Sequence, residues 1–187
     1  MALAASILCG CKSTFTVENY RAPASRIRPD HGVFIVVPPD AFDEPGSGRL
    51  CAVTLEEALL RHAKRVELAR GVAPLSVHLT NAAAQGFTYV LDTRIHHWEE
   101  EPTEWTGKPD FLDLTLRLLQ TPDGEIVTEA KFFARSKWAS FGGDHVEHLL
   151  KPFADEWARA IYEGTEFKTP SPDKQKKKAP PEKPQRY

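Results

Sequence analysis

From Phe87 to Ala134 the apolar residues recur with a period of two, a spacing that a pleated strand satisfies and a helix does not. In the first run, Phe87 to Trp98, Tyr89, Leu91, Thr93, Ile95 and His97 fall on one face. Val90, Asp92, Arg94, His96 and Trp98 fall on the other. Asp110 to Leu119 alternates cleanly, with Leu112, Leu114, Leu116 and Leu118 directed inward. Pro122-Asp123-Gly124 is a turn signal that leads into a third run, Ile126 to Ala134. The three runs predict an antiparallel meander.

Upstream the period differs. Val33 to Val37 is a continuous β-branched and aromatic run ended by Pro38-Pro39, as in a strand buried on both faces. Cys51, Leu55, Ala58, Leu59 and His62 recur at helical spacing and predict a helix from Arg49 to His62. Ala63 to Leu68 reads as a short strand, and Pro74 opens a helix that Gly86 closes as its C′ residue. After the meander, Asp144 and Glu147 form a capping-box pair. They precede an apolar stripe of Val146, Leu149, Leu150, Phe153, Trp157 and Ile161, in which Pro152 is expected to kink the helix or mark its first turn. The expected fold class is therefore α/β (α+β): strand-helix-strand-helix, then a three-stranded antiparallel meander and a C-terminal helix, with helices packed on a mixed sheet. At 187 residues, 41% of them hydrophobic, the chain suits one core and a tail.

The two ends carry different chemistry. An apolar run from Ala2 to Cys9, too short to span a bilayer, is followed by Gly10 and Cys11. Leu8-Cys9-Gly10-Cys11 resembles the bacterial lipobox, which implies cleavage before Cys11 and diacylation of that residue. Lys12 in the next position resembles lipoproteins sent to the outer membrane. On this reading residues 1–10 are a signal segment, 11–31 a lipidated tether, 32–164 a single α/β domain and 165–187 a disordered Lys/Pro-rich tail. Cys51 is then the one unmodified thiol, and the surrounding Leu50, Ala52 and Val53 predict its burial.

Charge is divided between body and tail. Lys168 to Tyr187 holds seven Lys/Arg against Asp173 and Glu182, a net of +5, and leaves a body of −7. An acidic body is a poor partner for nucleic acid, and none is expected. The basic tail suits an anionic envelope polymer, and an envelope protein is the other class of partner that the loops suggest.

The densest group of polar and aromatic residues is RIHHWEEEPTEWTGKPD, Arg94 to Asp110, with two histidines, five carboxylates and two tryptophans. His96 and His97 are adjacent on a strand, so an unbroken pleat sends them to opposite faces, away from any common metal. Zinc motifs such as HExxH or paired CxxC are absent from the sequence, and no metal or cofactor is expected. Glu99 and Glu104 crowd a solvated turn that does not separate their acidities, so catalysis is not expected either. The alternative is a metal-binding or hydrolytic envelope enzyme that uses His96, His97, Glu99 and Glu104. The preferred expectation is a binding rim: His96, His97, Trp98, Glu99, Glu104 and Trp105 from this hairpin, with Trp138, Phe141, Asp144 and His145 from the glycine-bearing loop before the last helix.

HHWEEEPTEWTGKPD, the alternating strand after it and SKWASFGGDHVEHLL together resemble a family of short Gram-negative envelope lipoproteins, domain-of-unknown-function family 4823. The resemblance runs from about Val33 to Ile161. It implies a periplasm-facing lipoprotein of the cell outer membrane, held through its N-terminal lipid, and it brings no catalytic residues. More distantly, the order of elements resembles the small α/β domains of Tol-type and curli-secretion-type lipoproteins, an analogy of topology alone.

Overall fold

The computed structural model describes residues 14–100, 109–136 and 146–167. Nine elements follow in order: β1 (Thr14–Arg21), β2 (Val33–Ile35), α1 (Ser47–Leu59), β3 (Val66–Leu68), α2 (Leu75–Ala84), β4 (Tyr89–Glu99), β5 (Phe111–Gln120), β6 (Ile126–Arg135) and α3 (Val146–Glu163). They build one six-stranded sheet in the order β1-β6-β5-β4-β2-β3. The β4-β5-β6 meander is antiparallel and β2 and β3 join it in parallel, so the sheet is mixed, as the change of period predicts.

The inner face of the sheet carries the main core. Leu112, Leu114, Leu116 and Leu118 are fully buried there with Phe132 beneath α1 and α3. Phe132 stacks on Phe153 at 3.9 Å between ring centroids, and Trp157 is fully buried on the same helix stripe. Pro152 lies inside α3 on its exposed side, where the stripe is undisturbed. On the opposite, outer face, α2 covers only the β2–β4 end, over Phe34, Val90 and Leu119. The α2 C-terminus closes as expected: Gly86 has φ +79°, its N–H donates to Ala83, and the Phe87 N–H donates to the Ala82 carbonyl.

The stretch expected as a tether contributes a strand. Thr14–Arg21 forms β1 and pairs antiparallel with β6, with Thr14 opposite Arg135 and Arg21 opposite Glu129. Phe15, fully buried Val17 and Tyr20 face the core, and the rings of Phe132 and Phe153 lie 5.7 and 5.8 Å from Phe15. A register shift between Val17 and Asn19 makes Glu18 an extra residue, so the apolar spacing jumps from two to three. That jump hides the strand from a search for strict alternation. The opposite boundary also moves, because Phe167 is only 5% exposed and packs against Tyr20 and Phe153 at centroid distances of 4.8 and 5.8 Å.

α1 starts at Ser47, two residues before the expected position. Asp40 is the cause: its carboxylate accepts the N–H groups of Gly46 and Gly48 at 2.9 and 2.8 Å, while the Ala41 N–H donates to Ser47 Oγ at 2.8 Å. These backbone donors hold the Asp40 pKa below the usual carboxylate range. Gly48 sits against the Pro38 carbonyl so closely that a Cβ would stand 2.1 Å from that oxygen. β3 is shorter than expected because Ala63 still closes the end of α1, donating its N–H to Leu59.

Candidate functional site

Between Ile95 and His97 the β4–β5 register shifts by one residue: Ile95 lies opposite Leu114, and His97 lies opposite Asp113. His96 is the extra residue of this bulge, which reverses the parity of everything after it. The expectation that the two histidines diverge is thus corrected. His96 Nε2 meets Thr115 Oγ1 at 2.9 Å and His97 Nε2 meets Glu99 Oε2 at 3.0 Å, both exposed on the outer face. Trp98 is corrected in the opposite sense. It turns inward opposite Leu112, is 5% exposed, and belongs to the core instead of the rim.

On the outer face of β4, β5, β6 and β1, α2 lies over the end at Val90 and Leu119, and no described helix lies over the rest. Asp92 and Arg117 form a half-buried ion pair beside the part under α2, and Arg117 Nε adds a 3.2 Å hydrogen bond. Farther along, Lys131 pairs with Glu18 at 2.7 Å and reaches Asp113 at 3.8 Å. Asp113 is raised above the usual carboxylate range, chiefly by burial, against the pull of Lys131. Its Oδ1 is buried without a hydrogen-bond partner. At the end of the strands an aromatic row crosses three of them: His97 meets Phe111 edge-on at 4.8 Å, and Phe111 meets Phe133 at 4.6 Å.

Of the sequence-derived site residues, the structure brings His96, His97 and Glu99 onto one surface. Glu104, Trp105, Trp138, Phe141, Asp144, His145 and the lipidation residue Cys11 lie outside the described residues. Sequence reasoning missed Phe111, Asp113, Lys131, Phe133 and Glu18. The first four were legible as the outward half of the alternation in β5 and β6, whereas Glu18 sits in the second bulge. Among the described residues, no group of three His, Cys, Asp or Glu is placed to hold a metal ion. Cys51 is fully buried, and burial pushes its thiol up to about 12.

A cleft of about 320 Å³ opens at the far end of the same strands, lined by Arg21, Ser25, Tyr89, Gln120 and Glu125 among others. Tyr89 is also within 3.3 Å of His31 Nδ1. The cleft mixes both charges and holds no nucleophile–base pair of described residues.

The family model for a domain of unknown function, DUF4823, matches residues 25–161. The chain belongs to the DUF4823 family. No curated protein sequence matches it. Among solved structures, this DUF4823 domain is similar to a PelC dodecamer from Paraburkholderia phytofirmans, with 14% identity, 82% of this chain and 100% of that chain covered, and a TM-score of 0.66. A second PelC dodecamer from the same organism, a single-substitution variant, gives 17% identity, coverages of 76% and 96%, and a TM-score of 0.61. A Xanthomonas campestris protein of the DUF330 family follows at 12% identity, 77% and 95% coverage and a TM-score of 0.47. The two PelC structures share the fold of the DUF4823 domain; at these identities the likeness concerns the fold alone.

Proposed function

We propose that this DUF4823 chain is a lipid-anchored envelope lipoprotein, carried by Cys11 on the periplasmic side of the outer membrane, and that it works as a non-catalytic assembly module. The observation that carries the reading is the part of the outer face of the four long strands that α2 leaves uncovered, with its aromatic row and exposed His97–Glu99 pair. A face of this kind suits contact with another surface better than chemistry on a small substrate. The fold shared with a protein described as a dodecamer makes further copies of this chain the first partner to test. An anionic envelope polymer, met by the basic tail, is the second.

The experiment combines fractionation with mass measurement. Replacing Cys11 with Ala should release the chain from the membrane fraction, and retention there would overturn the anchor. Native mass spectrometry of the detergent-extracted protein should show a closed oligomer; a strict monomer at all concentrations would overturn the assembly role. The enzymatic alternative has its own outcome. Stoichiometric zinc or another transition metal, retained without chelator and lost in His96→Ala, would replace this proposal by the metal reading.

A further inference from the structure

We infer that the end of the sheet formed by Thr14, Arg135, Phe111 and Glu99 rests against a zwitterionic phospholipid surface, so that the domain stands upright on the membrane. The inference rests on the proposed lipidation of Cys11, and it adds an orientation and a contact surface to that reading.

Reach is the first argument. Only Lys12 and Ser13 separate Cys11 from Thr14, so three peptide units, about 10 Å at full extension, join the acyl-bearing residue to the sheet. A tether of twenty residues would leave the domain free to tumble. Here eight of those residues are used by β1. The strand is held by its ladder to β6 and by Phe15, Val17 and Tyr20 in the core, so it does not serve as slack.

The ladder fixes the rest. Thr14 pairs with Arg135, Arg135 with Phe111, and Phe111 with Glu99, so one transverse row brings the ends of four strands to the same level. The loop between β2 and α1 rises to it, for the Glu100 N–H donates to Glu44 Oε1 at 3.3 Å. From that loop Phe42 projects with 91% of its surface exposed. Phe42, Phe111, Phe133 and His97 thus supply apolar and amphipathic rings at the level where the anchor enters, and such rings settle among lipid headgroups. Among the described residues at this level, Glu44, Glu99, Glu100 and Asp110 outnumber Arg135, a balance that favours a zwitterionic surface over an anionic one. The cleft at Arg21, Tyr89 and Glu125 then faces away from the bilayer, about 30 Å along the strands.

The test places a fluorescent noncanonical residue at exposed Arg135 or, at the far turn, at Asp123, in the full chain. Lipidated protein is reconstituted into phosphatidylethanolamine/phosphatidylcholine vesicles with nitroxide-labelled headgroups. In parallel, full-length unlipidated chain bearing Cys9→Ser is coupled through Cys11 to a maleimide lipid, since Cys51 is buried. Quenching at position 135 should exceed that at 123 several-fold in both preparations. A long Gly/Ser insertion after Lys12 should reduce the difference, as should Phe42→Ser, and added anionic lipid should not enlarge it. Equal quenching at the two positions in the coupled chain overturns the orientation, whatever the natural lipidation. A gradient in the coupled chain, with no membrane association of the biosynthetic protein, supports the orientation and overturns the proposed anchor instead.

Discussion

His97 faces Asp113 across the β4–β5 ladder, although the alternation set by Ile95 and Leu114 would turn it inward. One inserted residue, His96, makes the difference, and it places Trp98 in the core. Deleting His96 should restore strict alternation with Ile95 inward, His97 outward and Trp98 still in the core. The deletion is expected to cost about 1 kcal/mol or less, because the buried tryptophan is retained. Urea unfolding monitored by fluorescence measures it, with an unchanged native emission as the accompanying sign; a red-shifted emission would reject His96 as the inserted residue.

Asp113 gives a pH dependence of definite sign. Its folded pKa is raised by burial, so its ionised form disfavours the native state above that value, and the penalty fades as pH falls through it. Asp113→Asn should therefore raise Tm at pH 7.5 and lose its advantage near pH 4, where the unfolded carboxyl also takes up a proton. Lys131 keeps Glu18 in the variant. Thermal melts of both proteins between pH 4 and 8 provide the comparison, and a destabilised variant at pH 7.5 would reject the account.

Gly48 should not tolerate a side chain. The Pro38 carbonyl is backbone and has little room to retreat, so Gly48→Ala is expected to cost about 1–3 kcal/mol. Ser47→Ala removes one hydrogen bond from the Ala41 N–H and should cost about 1 kcal/mol. Chemical denaturation of the two variants orders them.

Truncation maps the C-terminal boundary. A chain ending at Phe167 keeps the Tyr20 and Phe153 contacts and should melt like the full protein. One ending at Gly164 loses a nearly buried phenylalanine and should be destabilised by about 3 kcal/mol. Calorimetry distinguishes them.

The meander, α2 with its closing Gly86, and the stripe of α3 were legible in the sequence because each keeps one period over most of its length. β1 was not, and neither was the geometry of His96 and His97, for a common reason: in both strands a single extra residue breaks the period while the hydrogen-bonded ladder continues around it. The start of α1 was hidden differently. Asp40 reaches it from across the loop, a relation that no local spacing encodes. Candidate residues were found where they cluster along the chain, at His96, His97 and Glu99. They were missed where the sheet assembles them from separate strands, as with Phe111, Phe133 and Lys131.

The pairing of β1 with β6 also sets an order of events. Thr14 and Arg135 are neighbours in space but more than a hundred residues apart in the chain, so the edge strand gains its partner only after almost the whole domain has been delivered. A polypeptide that emerges N-terminus first must carry Phe15, Val17 and Tyr20 unpartnered until β6 has been made, which makes that segment a natural place for a chaperone to hold and the last stretch to be released.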